Sequence, residues 1–149
     1  MKRNITPALL ALALTGFTFR AGAESTKFDA NPTGTWKLIT GTNTAPPQTL
    51  KLKVEGGKLT GTLSRQAGYQ LEQLPLEDAK LKGTEITFAT HSYAVSYIKN
   101  VLQPTDTNKW SHSKFHGTIS GSTINGKVDK ESWIANTRRT LDFQAKRVN

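Results

Sequence analysis

Polar and apolar residues alternate with period two along most of the chain beyond residue 34. Leu50, Leu52 and Val54 share one face while Thr49, Lys51 and Lys53 share the other, the pattern of a half-buried strand. Leu59, Gly61 and Leu63 alternate in the same way against Lys58, Thr60 and Thr62. Glu55-Gly56-Gly57-Lys58 joins the two runs, and adjacent glycines accept the positive φ of a tight hairpin turn. Strands are predicted over 35–40, 49–54, 59–64, 76–81, 85–90, 92–102, 109–120, 123–129 and 138–148. Residues 65–75 and 103–108 are polar and read as loops, the first with room for one helical turn. The stretch 131–136 is ambiguous, with Trp133 as its anchor.

A spacing of apolar–x–Gly recurs at Leu59-Thr60-Gly61-Thr62-Leu63, His116-Gly117-Thr118-Ile119-Ser120-Gly121 and Ile124-Asn125-Gly126-Lys127-Val128. Glycine on the inward face of a strand makes room for a bulky neighbour or a bend. Short strands separated by turn signals, with almost no helical period, predict an all-β antiparallel barrel of the up-and-down kind with about eight to ten strands. Closure of that sheet removes its edges.

The first residues follow a different rule. Lys2 and Arg3 precede an apolar stretch over 5–19, and Ala21 and Ala23 supply the small residues that a signal peptidase requires. The expectation is a signal peptide over 1–23, cleaved after Ala23, with a single barrel domain over 24–149 located in the periplasm or secreted. The apolar stretch is short for a membrane span, which needs about 20 residues, and no span is expected in the mature chain.

Charge is read after that cut. The full chain has 149 residues and a net charge of +9. Cleavage would remove 23 residues carrying three of the 20 Lys and Arg (Lys2, Arg3 and Arg20). It would leave 126 residues with 17 cationic side chains against 11 acidic ones, a net +6. Nucleic acid is not the expected partner of an exported protein; acidic protein or polysaccharide suits a mildly basic surface better. The chain has no Cys, which excludes a disulfide framework, a thiolate metal site and a cysteine nucleophile.

Gly34-Thr35-Trp36 opens the first strand, and Lys146-Arg147 lies near the end of the last. The pair resembles the signature of the calycin superfamily, which includes lipocalins, fatty-acid-binding proteins and avidins. The resemblance implies that a basic side chain from the last strand packs across the indole of Trp36 and closes one barrel end together with Gly34. Arg147 is the expected lid, with Lys146 as the substitute. Leu-Lys-Val-Glu-Gly-Gly-Lys-Leu-Thr-Gly over 52–61, Leu-Glu-Asp-Ala-Lys-Leu-Lys-Gly-Thr-Glu-Ile-Thr-Phe over 76–88, and Phe143-Gln144-Ala145-Lys146-Arg147 are similar to small exported bacterial lipocalin-like proteins of unknown function. The twin helices that cap fatty-acid-binding proteins have no counterpart here; Gly41 to Gln48 is all that joins the first two strands.

Chemistry-bearing residues are few. Trp110, His112, Lys114 and His116 share one strand face, which puts the imidazoles of His112 and His116 about 13 Å apart. That separation is too wide for a shared metal, and His91 would join them only through cross-strand pairing. Glu77 and Asp78 are strand neighbours that point to opposite faces. Ser111 and Ser113 flank His112 without a strained-turn nucleophile motif. No catalytic residue, metal or cofactor is expected. Arg138-Arg139 with Lys146 and Arg147 forms a basic cluster suited either to an anionic ligand or to a solvated face.

The function expected from these residues is non-enzymatic: a binding protein that holds a small apolar or amphiphilic ligand in a β-barrel. Tyr93, Tyr97, Trp110, His112 and Phe115 are the candidate ligand-binding residues. The alternative is an interaction module, resembling a protease inhibitor or binding acidic polysaccharide, that uses a basic outer face.

Overall fold

The computed structural model describes residues 30–41, 46–67, 70–98, 101–133 and 135–148, of which 70, 94–98 and 101–108 are described by backbone alone. The expected leader over 1–23 lies outside the described residues. Nine strands follow one another: β1 (Gly34–Thr40), β2 (Gln48–Glu55), β3 (Lys58–Ala67), β4 (Gln70–Pro75), β5 (Glu77–Lys82), β6 (Glu85–Ile98), β7 (Val101–Ser120), β8 (Thr123–Ser132) and β9 (Thr137–Val148). Every pairing is antiparallel. The sheet order is β4-β3-β2-β1-β9-β8-β7-β6-β5, so the sheet wraps round with β1 zipped to β9. The result is an all-β, up-and-down, nearly closed barrel. Its seam lies between β4 and β5, where Leu76 N donates to Gly61 O at 3.0 Å. No helix among the described residues is long and apolar enough to cross a membrane.

Period-two alternation decides which side chains go inside. Trp36, Leu38, Leu50, Leu52, Leu59, Leu63, Ile86, Phe88, Phe115, Ile119, Ile124, Val128, Phe143 and Ala145 form one buried cluster. Phe88 stacks on Phe115 with centroids 4.6 Å apart, and Phe143 meets Phe115 edge-on at 5.4 Å. The inward glycines make this possible: a Cβ on Gly117 would be 2.9 Å from Phe143 Cζ, and one on Gly126 would be 2.8 Å from Phe143 Cε1. Gly56 and Gly57 have φ of 56° and 77°, the positive values that the β2–β3 turn demands.

Three elements differ from the alternation reading. The polar stretch 65–75 is not a loop: β3 runs on to Ala67 and β4 returns from Gln70. The stretches 85–90 and 92–102 are mostly one strand, β6, which runs to Ile98; residues 99–100 lie outside the described residues. Residues 103–108 belong to β7, whose pairing with β6 slips between Tyr93 and Val95. Extra residues on β7 are absorbed there as bulges, which explains why the polar run 103–108 does not break the strand.

Candidate functional site

Strand directions give the barrel two unlike ends. At one end, Trp36 is fully buried. Its Nε1 donates to Pro32 O at 2.8 Å. Arg147 lies opposite it in the β1–β9 register, with its guanidinium carbon 4.4 Å from the indole centroid. Arg147 also donates from Nη1 to Thr33 O at 2.7 Å and from Nη2 to Asn31 O at 2.8 Å. The cation–π contact and the two charge-assisted hydrogen bonds tie residues 31–33 across this end. Gly34 has φ 142°, and a Cβ there would be 3.1 Å from Arg147 Nη1, so the glycine of the opening motif makes way for the guanidinium.

The far end is built differently. Each inward row changes from apolar to polar there. On β1 the row runs Trp36, Leu38, Thr40; on β3 it runs Leu59, Leu63, Arg65; on β6 it runs Ile86, Phe88, Thr90, Ser92. The β8 row runs Ile124, Val128, Lys130, Ser132, and the β9 row meets it with Leu141, Arg139 and Thr137. Thr40, Thr90 and Ser92 are the buried polar residues of the described chain. Ser113 of β7 stands opposite Lys130 in register, and Ser111 opposite Ser132. The two serines Ser111 and Ser132 share a hydrogen bond at 3.3 Å.

Lys130 is the centre of this end. Its Nζ donates to Thr40 Oγ1 at 3.3 Å, reaching across β9 to β1. Burial pushes its ammonium below the ordinary lysine value of 10.5, and the positive charges of Arg139 and Arg65 push the same way. Arg65 approaches from β3 on another part of the wall and donates from Nε to Glu72 Oε2 at 2.6 Å. Among the described residues, neither Lys130 nor Arg139 pairs with a carboxylate. Half-buried Arg65 and Lys130 and the exposed Arg139 at the rim therefore share one end of the barrel with one carboxylate, beside several hydroxyls. Such a group of donors recognises an anion or an acceptor-rich polar group.

The residues expected to form one ligand wall are divided by the barrel. Phe115 is inside, packed between Phe88 and Phe143. Trp110 and His112 alternate against it and so lie on the outer face of β7, with Tyr93 beside Trp110 on β6. His91 joins them there. Its ring stacks on Tyr93 at 4.9 Å, meets Trp110 edge-on at 5.7 Å and lies 5.8 Å from the His112 ring. His91 Nε2 is enclosed in this cluster without a hydrogen-bond partner. Among the described residues no group of three His, Asp or Glu is placed to hold a metal ion. Tyr97 pairs with Leu102 in the β6–β7 backbone; its side chain lies outside those described.

The basic cluster is divided as well. Arg138 faces outward and bonds Glu131 Oε1 at 3.0 Å, while its neighbour Arg139 stands beside Lys130. Glu77 and Asp78 are both exposed, and Asp78 has φ 49° at the start of an irregularity in the β5–β6 pairing.

The residues missed by sequence reasoning are Thr40, Arg65, Glu72, Thr90 and Lys130. Their signal was phase: each continues an inward apolar row by two positions. No known protein family matches the chain, and no curated protein or solved structure matches it either.

Proposed function

We propose that this chain is an exported, non-enzymatic binding protein that takes a small amphiphilic ligand at the far end of its barrel. The observation that carries the reading is the change of the interior from a filled apolar half to a layer of hydroxyls and cations around Lys130. The packed rings of Phe88, Phe115 and Phe143 leave the Trp36 half to side chains, which restricts the ligand to the far half and keeps it small. Its polar group meets Lys130 and the hydroxyls, and its apolar part faces Leu74 and Leu141, which border that layer. The Gly34–Trp36–Arg147 closure supports a calycin-like, lipocalin-like assignment, and such barrels hold ligands of this class. The residue pattern over 1–23 supports export.

A basic outer face acting as a docking module has less support. Lys127 and Arg138 are engaged with Asp142 and Glu131, Arg147 is committed to Trp36, and Arg139, exposed at the rim, stands opposite Lys130.

Native mass spectrometry of the protein recovered from an exporting host tests the reading. A chain starting at Glu24 that carries one small ligand, or that takes up one alkyl amphiphile per chain from a panel of differing headgroups, is the expected result. A chain that retains residues 1–23 overturns export, and one that binds no amphiphile overturns the ligand reading.

A further inference from the structure

The far-end layer carries a charge imbalance that narrows the class of ligand. Arg65, Lys130 and Arg139 contribute three positive charges, and Glu72 contributes one negative charge already engaged by Arg65. Two cations remain without an anionic partner among the described residues. Arg139 is exposed at the rim, where water screens its charge, but Lys130 is half-buried; a cation drawn out of water without such a partner is costly, and Lys130 shows this cost in its depressed proton affinity. Its one recorded hydrogen bond goes to a neutral hydroxyl, that of Thr40.

We infer that this layer is a site for a dianionic phosphate-type group, held between Lys130 and Arg139 with Thr40 and Ser113 beside them. The inference rests on the amphiphile reading for the rest of the ligand, but the charge argument stands by itself.

Stoichiometry favours phosphate over carboxylate. A phosphate monoester carries a charge of about −1.5 to −2 at neutral pH and presents three acceptor oxygens. It matches both uncompensated cations, whereas a carboxylate would leave one unmatched. Geometry agrees. Lys130 and Arg139 are directly opposed in the β8–β9 register, so their head groups reach the same point from adjacent strands. The guanidinium offers a planar fork for two phosphate oxygens, and the ammonium acts as a point charge for the third. The Ser113 and Thr40 hydroxyls flank Lys130 from β7 and β1 and can donate or accept. Arg65 stays paired with Glu72 and supplies field rather than contact.

Two sources share this chemistry: free inorganic phosphate and the phosphate headgroup of an amphiphile. Calorimetric titration of the full chain at fixed ionic strength separates them, with inorganic phosphate, decyl phosphate, decanoate and decanol as probes. Decyl phosphate is expected to bind about tenfold or more tightly than decanoate, in line with the added charge-assisted bonds, and decanol more weakly still. Tighter binding of decyl phosphate than of inorganic phosphate identifies a headgroup; equal binding identifies the free ion, which supports the phosphate site while the amphiphile reading fails. Equal affinity for decyl phosphate, decanoate and decanol overturns the phosphate site and leaves the amphiphile reading intact. Lys130→Met and Arg139→Gln are each expected to weaken decyl phosphate binding about tenfold or more with an unchanged β-sheet circular dichroism spectrum. Wild-type affinity in both folded variants would overturn the assignment, as would the absence of binding by any phosphate probe.

Discussion

Lys130 and Arg147 are two inward cations with opposite consequences for stability. Arg147 has carbonyl partners on residues 31 and 33 and an indole beneath it. Arg147→Ala is expected to cost about 2–3 kcal/mol, adding a cation–π contact to lost charged hydrogen bonds, as read by urea denaturation. Half-buried Lys130 has no anionic partner among the described residues, and Lys130→Met is expected to leave the melting temperature unchanged or raise it, since replacing a charge held partly out of water by an apolar side chain of similar length is often neutral or stabilising. The sign of the pH effect follows from the depressed proton affinity. The native chain gives up this proton at a lower pH than the unfolded chain, whose lysine titrates near 10.5. Between those values the unfolded chain binds more protons, so Lys130 makes stability rise with pH across that window. Below the native value its penalty is constant. Urea midpoints measured from neutral pH towards pH 10 are expected to show a rising component in the wild type that is absent from Lys130→Met.

At the scale of elements, the strands most easily read were those whose inward rows are apolar throughout. The β2–β3 hairpin is the clearest case, with Leu50, Leu52, Leu59 and Leu63 all buried. The reading failed where inward positions are polar. Arg65 and Glu72 occupy inward positions of β3 and β4, and for that reason the stretch 65–75 looked like a loop. Lys130 and Ser132 obscured the end of β8 in the same way. A polar inward layer removes the hydrophobic alternation by which a strand is recognised, so the candidate site and the missed strands coincide. The aromatic residues misled for another reason. Trp110, His112 and Phe115 are near neighbours in sequence, but odd and even positions of a strand face opposite ways, and the stack of Phe115 on Phe88 decides which set is inside. The inward glycines give this scale its prediction. Gly126→Ala would drive a Cβ against Phe143 and the facing β7 backbone, and overpacking of that kind is expected to cost about 1–3 kcal/mol in urea denaturation.

At the scale of the whole molecule, the barrel joins a tightly packed apolar half to a polar half, and the fold class was legible because closure needs only alternation and turns. The identity of the ligand was not, because it depends on which charges meet across the interior. Lys130 and Arg139 face each other across the β8–β9 hairpin, but Arg65 on β3 comes from a distant part of the chain, and only the closing of β1 on β9 brings it into their field. The seam has a further consequence for how fast the molecule assembles. Going round the sheet from β5 to β9, then β1 to β4, every pair but one is a hairpin or a similarly short connection between successive strands. The exception is β1 with β9, where Thr35 pairs with Val148 across nearly the entire length of the barrel. Zipping that pair requires closure of the longest loop in the domain, and contacts of large sequence separation slow folding. A circular permutant with β9 linked to β1 and new termini cut at Leu76 would turn this pairing into a local one. Stopped-flow refolding of the permutant is expected to be faster than that of the native chain order, with the gain concentrated in the folding limb of the chevron.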